Sequence, residues 1–129
     1  MLKTGILNPA INALLSRVRH TNTLVIADRG FPSWPDLETI DIALIDDMPR
    51  VVDVLRAVLI NFHAGKAYMA EEFFAHNSPQ IRAALDEVLQ RIPLVREPHV
   101  EFKRRIPLAT GLIRTGDTTQ YANIILESA

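Results

Sequence analysis

Cysteine is missing from the 129 residues, which excludes a thiolate nucleophile, a disulfide framework and any Cys-ligated zinc or iron–sulfur site. The lack fits a reducing compartment. Net charge is nearly missing too, at a formal −1 at pH 7. Nucleic acid or a membrane surface as partner needs a concentrated basic face. The densest candidate, Lys103-Arg104-Arg105, reads instead as cations set at a helix C-terminus. The longest apolar region, 51–62, is broken by Asp53, Arg56 and Asn61 and is too short to cross a bilayer. No apolar core of signal-peptide length follows Lys3. A soluble cytoplasmic protein is the expectation. Phosphate loop, dinucleotide glycine fingerprint, Gly-x-Ser-x-Gly elbow and internal repeats are all absent.

What remains is an ordinary globular chain, 48% hydrophobic and of a length that suits one domain over residues 1–129. Its centre is the stretch from His20 to Pro32. Thr23 to Ala27 is apolar or β-branched throughout, as in a strand covered on both faces. Before it, Asn8-Pro9 sets an N-cap and a first-turn proline, and Ile11, Leu14, Leu15 and Val18 form one helical stripe. Further strands are expected over 39–45, 66–70, 92–96, 111–115 and 121–126. Helices are expected after Pro49, after Pro79 and around 100–105. Alternating strands and helices predict an α/β fold: three layers, α/β/α, around a mostly parallel mixed sheet of about six strands. The last two strands, joined by a short polar link, are candidates for an antiparallel arrangement.

The candidate chemistry has two readings at each position. His20 is a possible general acid/base, because imidazole titrates near neutral pH; it is also an ordinary helix-end histidine. Asp28 closes the first strand, and ligands of open α/β sheets sit outside the carboxyl ends of the strands. It either holds a hydroxyl-rich ligand or caps the turn that Gly30 and Pro32 make. His99 follows another expected strand and has the same two readings. Tyr121 and Asn123 are two apart in an expected strand, which would put a phenol and an amide on one face. Phe31 and Trp34 either wall a ligand or pack a loop. Glu72 and His76, at i and i+4, lack a third metal ligand and read as a solvated helix-face pair.

Taken together, these residues resemble the D-ribose pyranase family and its sister branch, the L-fucose mutarotases. The resemblance runs nearly end to end. It is carried by His-Thr-x-Thr-Leu-Val from His20, Asp28-x-Gly-x-Pro, Ile40-Asp41-x-Ala43-Leu44, Ala70-Glu71-Glu72 and His76-Asn77. Most specific is Ile113-Arg114-Thr115-Gly116 leading into Tyr121-Ala122-Asn123-Ile124-Ile125-Leu126. The resemblance implies His20 as proton donor and Asp28, His99 and the Tyr121, Ala122, Asn123 segment as sugar-binding residues. It implies a monosaccharide substrate, no cofactor and no metal. It also implies a ring-like homo-oligomer, commonly a decamer, with sites between neighbouring subunits. A mutarotase for another sugar, or a non-catalytic sugar-binding or regulatory protein on the same fold, remains open. Arg29, where ribose enzymes carry a small residue, together with the bulky Phe31 and Trp34 loop, puts the choice of sugar in question.

One geometric demand follows from the first strand. If Thr23 to Ala27 is all extended, His20 and Asp28 lie roughly 17 Å or more apart. Either loops fold back, or one pocket draws its histidine and its aspartate from different chains. The second arrangement is the expectation.

Overall fold

The computed structural model describes residues 1–129. Its sheet has six strands in the order β2-β5-β1-β6-β3-β4, formed by β1 (Thr23–Ala27), β2 (Thr39–Asp41), β3 (Ala64–Ala70), β4 (Leu94–Glu97), β5 (Gly111–Arg114) and β6 (Ile124–Ser128). Only β6 runs against its neighbours, pairing antiparallel with β1 and β3. The other pairings are parallel. β5 and β6 are therefore opposed in direction, as the short link suggested, but β1 lies between them.

Side chains alternate across β1, so each face of the sheet collects its own core. Leu24 and Ile26 join Ile124 and Leu126 under α1 (Pro9–Arg17), α2 (Val51–Leu59), α3 (Glu71–His76) and α4 (Pro79–Leu89). Val25, Ala27 and Ile125 face the other way, toward Phe102 of α5 (His99–Arg105) and Ile106 of the 3₁₀ turn Ile106–Leu108. This is a three-layer α/β/α fold. Burying each of these Val, Leu, Ile and Phe side chains is worth about 1.5–3 kcal/mol. The helix starts follow their sequence signals: Asn8 and Ser78 accept the N–H groups of Ile11 and Ile81.

Two expected elements differ, and one helix is additional. The strand expected over 39–45 ends at Asp41, because the Asp41 carboxylate takes the Ala43 N–H at 3.0 Å and turns the chain. A hydrogen-bonded turn follows, with Leu44 N–H donating to the Met48 carbonyl. The last strand begins at Ile124, not at 121. Tyr121 sits at φ 58°, so 119–123 is a turn. Finally, β3 passes directly into α3, a separate short helix before α4.

Candidate active site

Antiparallel pairing sets Ile26 opposite Ile124, so Asn123 arrives beside the end of β1. There it meets Asp28. Asn123 Oδ1 accepts the Asp28 N–H at 2.8 Å, and Asn123 Nδ2 donates to Asp28 Oδ2 at 2.9 Å. The other carboxylate oxygen takes the Gly30 N–H at 2.9 Å. Burial is the main influence on Asp28 and raises its pKa; the bonds from Asn123 and Gly30 oppose it, and the nearby Asp117 carboxylate adds to the rise. A carboxylate held this way still has lone pairs for a ligand's hydroxyls.

His99 opens α5, just past the end of β4. Its N–H donates to Glu72 Oε2 at 2.7 Å. Its Nδ1 is buried and has no partner within the chain, while the imidazole as a whole borders a cavity shared with Asp28. Burial, then the Lys103 ammonium, lowers the His99 pKa, against weaker pulls from Glu72 and Asp28. The ring is therefore neutral at neutral pH and able to accept or donate. Tyr121 stands edge-on to it, ring centres 5.1 Å apart.

Between these groups lies a cavity of about 370 Å³, lined by Asp28, Gly30, Phe31, Pro32, His99, Lys103, Gln120, Tyr121 and Asn123. The size is that of a small-molecule site, roughly 300–1,000 Å³. Its position, outside the carboxyl ends of β1 and β4, is where open α/β sheets bind ligands. The turn that carries Tyr121 and Asn123 is held by Asp117, 4% exposed. Its carboxylate accepts the N–H groups of Val51 and Thr119, joining the start of α2 to the 119–123 turn. Gly116 is obligatory beside it, since a Cβ there would collide with the Ile45 and Met48 carbonyls.

The structure thus gathers Asp28, His99, Tyr121 and Asn123. Tyr121 and Asn123 reach the cavity from a turn and not from one face of a strand. Ala122 turns its side chain into the core. His20 is elsewhere. It is exposed on the turn between α1 and β1, at the opposite end of β1 from Asp28. All five residues of β1 are extended, so no loop folds it back.

Two positions, Arg29 and Lys103, read differently than the sequence suggested, and Phe31 and Trp34 divide the two readings open to them, Phe31 lining the cavity and Trp34 packing the loop. Arg29 points away from the cavity and pairs with Asp46 at 2.6 Å, and Trp34 stacks toward Phe31 without lining it. Lys103, read as one of three helix-end cations, lines the cavity instead. The signal was present in its spacing: four residues after His99 is one helical turn on the same face. A wider cleft of about 640 Å³, near Leu59, His63 and Arg91, holds none of the residues singled out from the sequence.

Residues 1–129 match the model of the RbsD / FucU transport protein family. The chain is 40% identical over 128 residues to a D-ribose pyranase of Laribacter hongkongensis, covering 99% of this chain and 97% of that one. It is 39% identical over 130 residues to a D-ribose pyranase of Staphylococcus aureus, with the same coverage, 99% and 97%. Among solved structures, Bacillus subtilis RbsD complexed with D-ribose superposes with a TM-score of 0.93 at 32% identity, over 100% of this chain and 98% of that one. The fucose mutarotase of Streptococcus pneumoniae, in complex with L-fucose, shares the fold, with a TM-score of 0.79 at 21% identity over 99% and 98%.

Proposed function

The chain belongs to the RbsD / FucU family, and from that premise we propose that it is a cofactor-independent sugar isomerase. It interconverts the pyranose and furanose rings of an aldose, D-ribose foremost. The observation that carries this reading is the cavity where Asp28, His99, Tyr121 and Asn123 converge, in a fold that superposes on a ribose-bound relative.

The chemistry asks for little. Opening the hemiacetal takes a proton from the anomeric hydroxyl and returns one to the ring oxygen. Closing reverses this through a different hydroxyl. No atom changes oxidation state. What is needed is a positioned acid/base and groups that orient the sugar. The Asp28 carboxylate accepts from two hydroxyls. Asn123, the His99 imidazole and the Lys103 ammonium offer the complementary donors and acceptors. Tyr121 supplies a ring beside them.

The proton carrier in this proposal is His20 of a neighbouring copy. Within one chain His20 and the cavity occupy opposite ends of β1, so a site containing both is built by two copies. A head-to-tail contact between two unlike surfaces, repeated, forms a ring when its rotation closes and a filament when it does not. The closed form agrees with the ring-like decamer expected of the family. Leu44, Ile45 and Met48, all exposed on one loop, are apolar surface of the kind that such contacts cover. A cytoplasmic location belongs to the same reading.

Saturation-transfer NMR on equilibrated D-ribose tests it. The wild-type protein is expected to accelerate ring-form exchange, and His20→Ala to lose about 10²-fold or more of that acceleration. No response from any aldose, or full activity in His20→Ala, contradicts the assignment.

A further inference from the structure

Glu72 and His76 remain unexplained by the reaction, although they stand one helical turn apart on α3. Neither lines the cavity. Both touch residues that do. Glu72 Oε2 accepts the His99 N–H at 2.7 Å. The His76 ring stacks on Tyr121, centres 5.5 Å apart and planes 27° from parallel. The next residue, Asn77, donates from Nδ2 both to the Phe73 carbonyl, closing α3, and to the Gln120 carbonyl at 2.9 Å. A helix of six residues and its C-cap thus contact three cavity-lining residues between them.

α3 is well placed to be rigid. It continues β3 without a loop, and Phe73, 3% exposed, anchors it in the core. On its outer side Phe74 meets Phe73 edge-on, and the Arg96 guanidinium lies 3.7 Å over the Phe74 ring. What it supports is not self-supporting. Tyr121 holds φ 58°, a conformation that a bulky residue keeps only when its surroundings impose it. The Asp117 bond to the Thr119 N–H and the Asn77 bond to the Gln120 carbonyl fold the turn that sets it. Two rings, His76 by stacking and His99 edge-on, fix where the Tyr121 ring then lies.

We propose that α3 is the positioning element of the sugar pocket and that His76 is the positioning residue for Tyr121, acting through its ring face. This rests on the isomerase reading above. The stack holds the Tyr121 ring at the cavity wall, Asn77 holds the peptide before it, and Glu72 fixes the His99 backbone across the gap. The separation between the aromatic wall and the imidazole is then set by one rigid helix. His76 acts as a flat surface, so any ring of similar size serves.

Two substitutions that both fill the space separate this from a merely structural role. His76→Phe keeps a ring; His76→Leu does not. Both are expected to melt as the wild type does. Ring-form exchange of D-ribose in His76→Phe is expected to stay within about threefold of wild type, and His76→Leu to lose about tenfold, mostly as a raised half-saturating ribose concentration. His76→Leu matching wild type overturns the proposal, as does His76→Phe performing no better than Leu. The wild-type protein gives a second reading that needs no substitution. Its Tyr121 ring-proton resonances are expected upfield, shifted by the His76 ring current, and should move when ribose is added. Unshifted resonances overturn the stacking role. Failure of the wild-type protein to exchange any aldose overturns the isomerase reading itself, and the role of His76 with it.

Discussion

Asn123 clasps Asp28 in both directions, accepting its N–H at 2.8 Å and donating to its carboxylate at 2.9 Å. A carboxamide alone among small side chains carries a donor and an acceptor on one planar group. At 3% exposure Asn123 makes these bonds shielded from bulk water. The clasp fixes the aspartate at the cavity rim and ties β1 to the start of β6.

Asn123→Ala removes both bonds and strands the Asp28 N–H. A loss of about 1–3 kcal/mol in stability is expected, from leaving a buried donor unpaired. Sugar affinity should fall with it. Asn123→Asp sets a second carboxylate against the first, and its binding defect should lessen as pH falls and one of the pair protonates. Thermal denaturation and titration calorimetry check both. Wild-type affinity in Asn123→Ala contradicts the clasp's role.

Acid should weaken sugar binding through two groups at once. Asp28 accepts hydroxyls while ionised, and burial raises its pKa above the usual aspartate value. The His99 imidazole can accept a hydrogen bond only while neutral, and burial with Lys103 lowers its pKa below the usual imidazole value. Falling pH protonates both, so affinity should begin to drop at a pH above that of an ordinary aspartate. The stability signs differ. The raised Asp28 contributes stability that is complete below its unfolded-state pKa and lost as pH rises through its folded value. The lowered His99 contributes stability present above the ordinary imidazole value and lost as pH falls through its folded one. Lys103→Met should return the His99 titration toward its ordinary value by NMR. No movement contradicts the Lys103–His99 coupling.

Arg29 is the residue whose size raised the question of another sugar. The structure turns it outward to Asp46, with both side chains more than half exposed. Arg29→Ala should therefore leave the sugar preference unchanged, and the exposed ion pair should contribute little to stability. Relative exchange rates across a panel of aldoses measure this. A changed preference would show that Arg29 reaches the pocket.

The sequence was most legible where local chemistry decides the structure. Thr23 to Ala27 needed no partner to read as a strand, and Asn8-Pro9 and Ser78-Pro79 announced their helices. Legibility failed where distant side chains decide. Tyr121 and Asn123 look like the start of a strand. Yet Asp117 accepting the Thr119 N–H and Asn77 gripping the Gln120 carbonyl fold that segment into a turn. The 39–45 stretch has strand composition, but Asp41 captures the Ala43 N–H and ends it. Lys103 was hidden by its neighbours, since three cations in a row look like dipole partners before they look like one ligand-facing lysine. The separation of His20 from Asp28 was legible, because strand length alone sets it.

A sugar site shared between copies is tested most directly by subunit mixing. His20→Ala and Asp28→Ala are each expected to be inactive alone. Dissociated, mixed in equal amounts and reassembled, they place an intact His20 against an intact Asp28 in about one site in four if neighbours supply the two groups head to tail. Recovery of about a quarter of wild-type ring-form exchange is the expected result. A mixture as inactive as its parents would contradict the shared site.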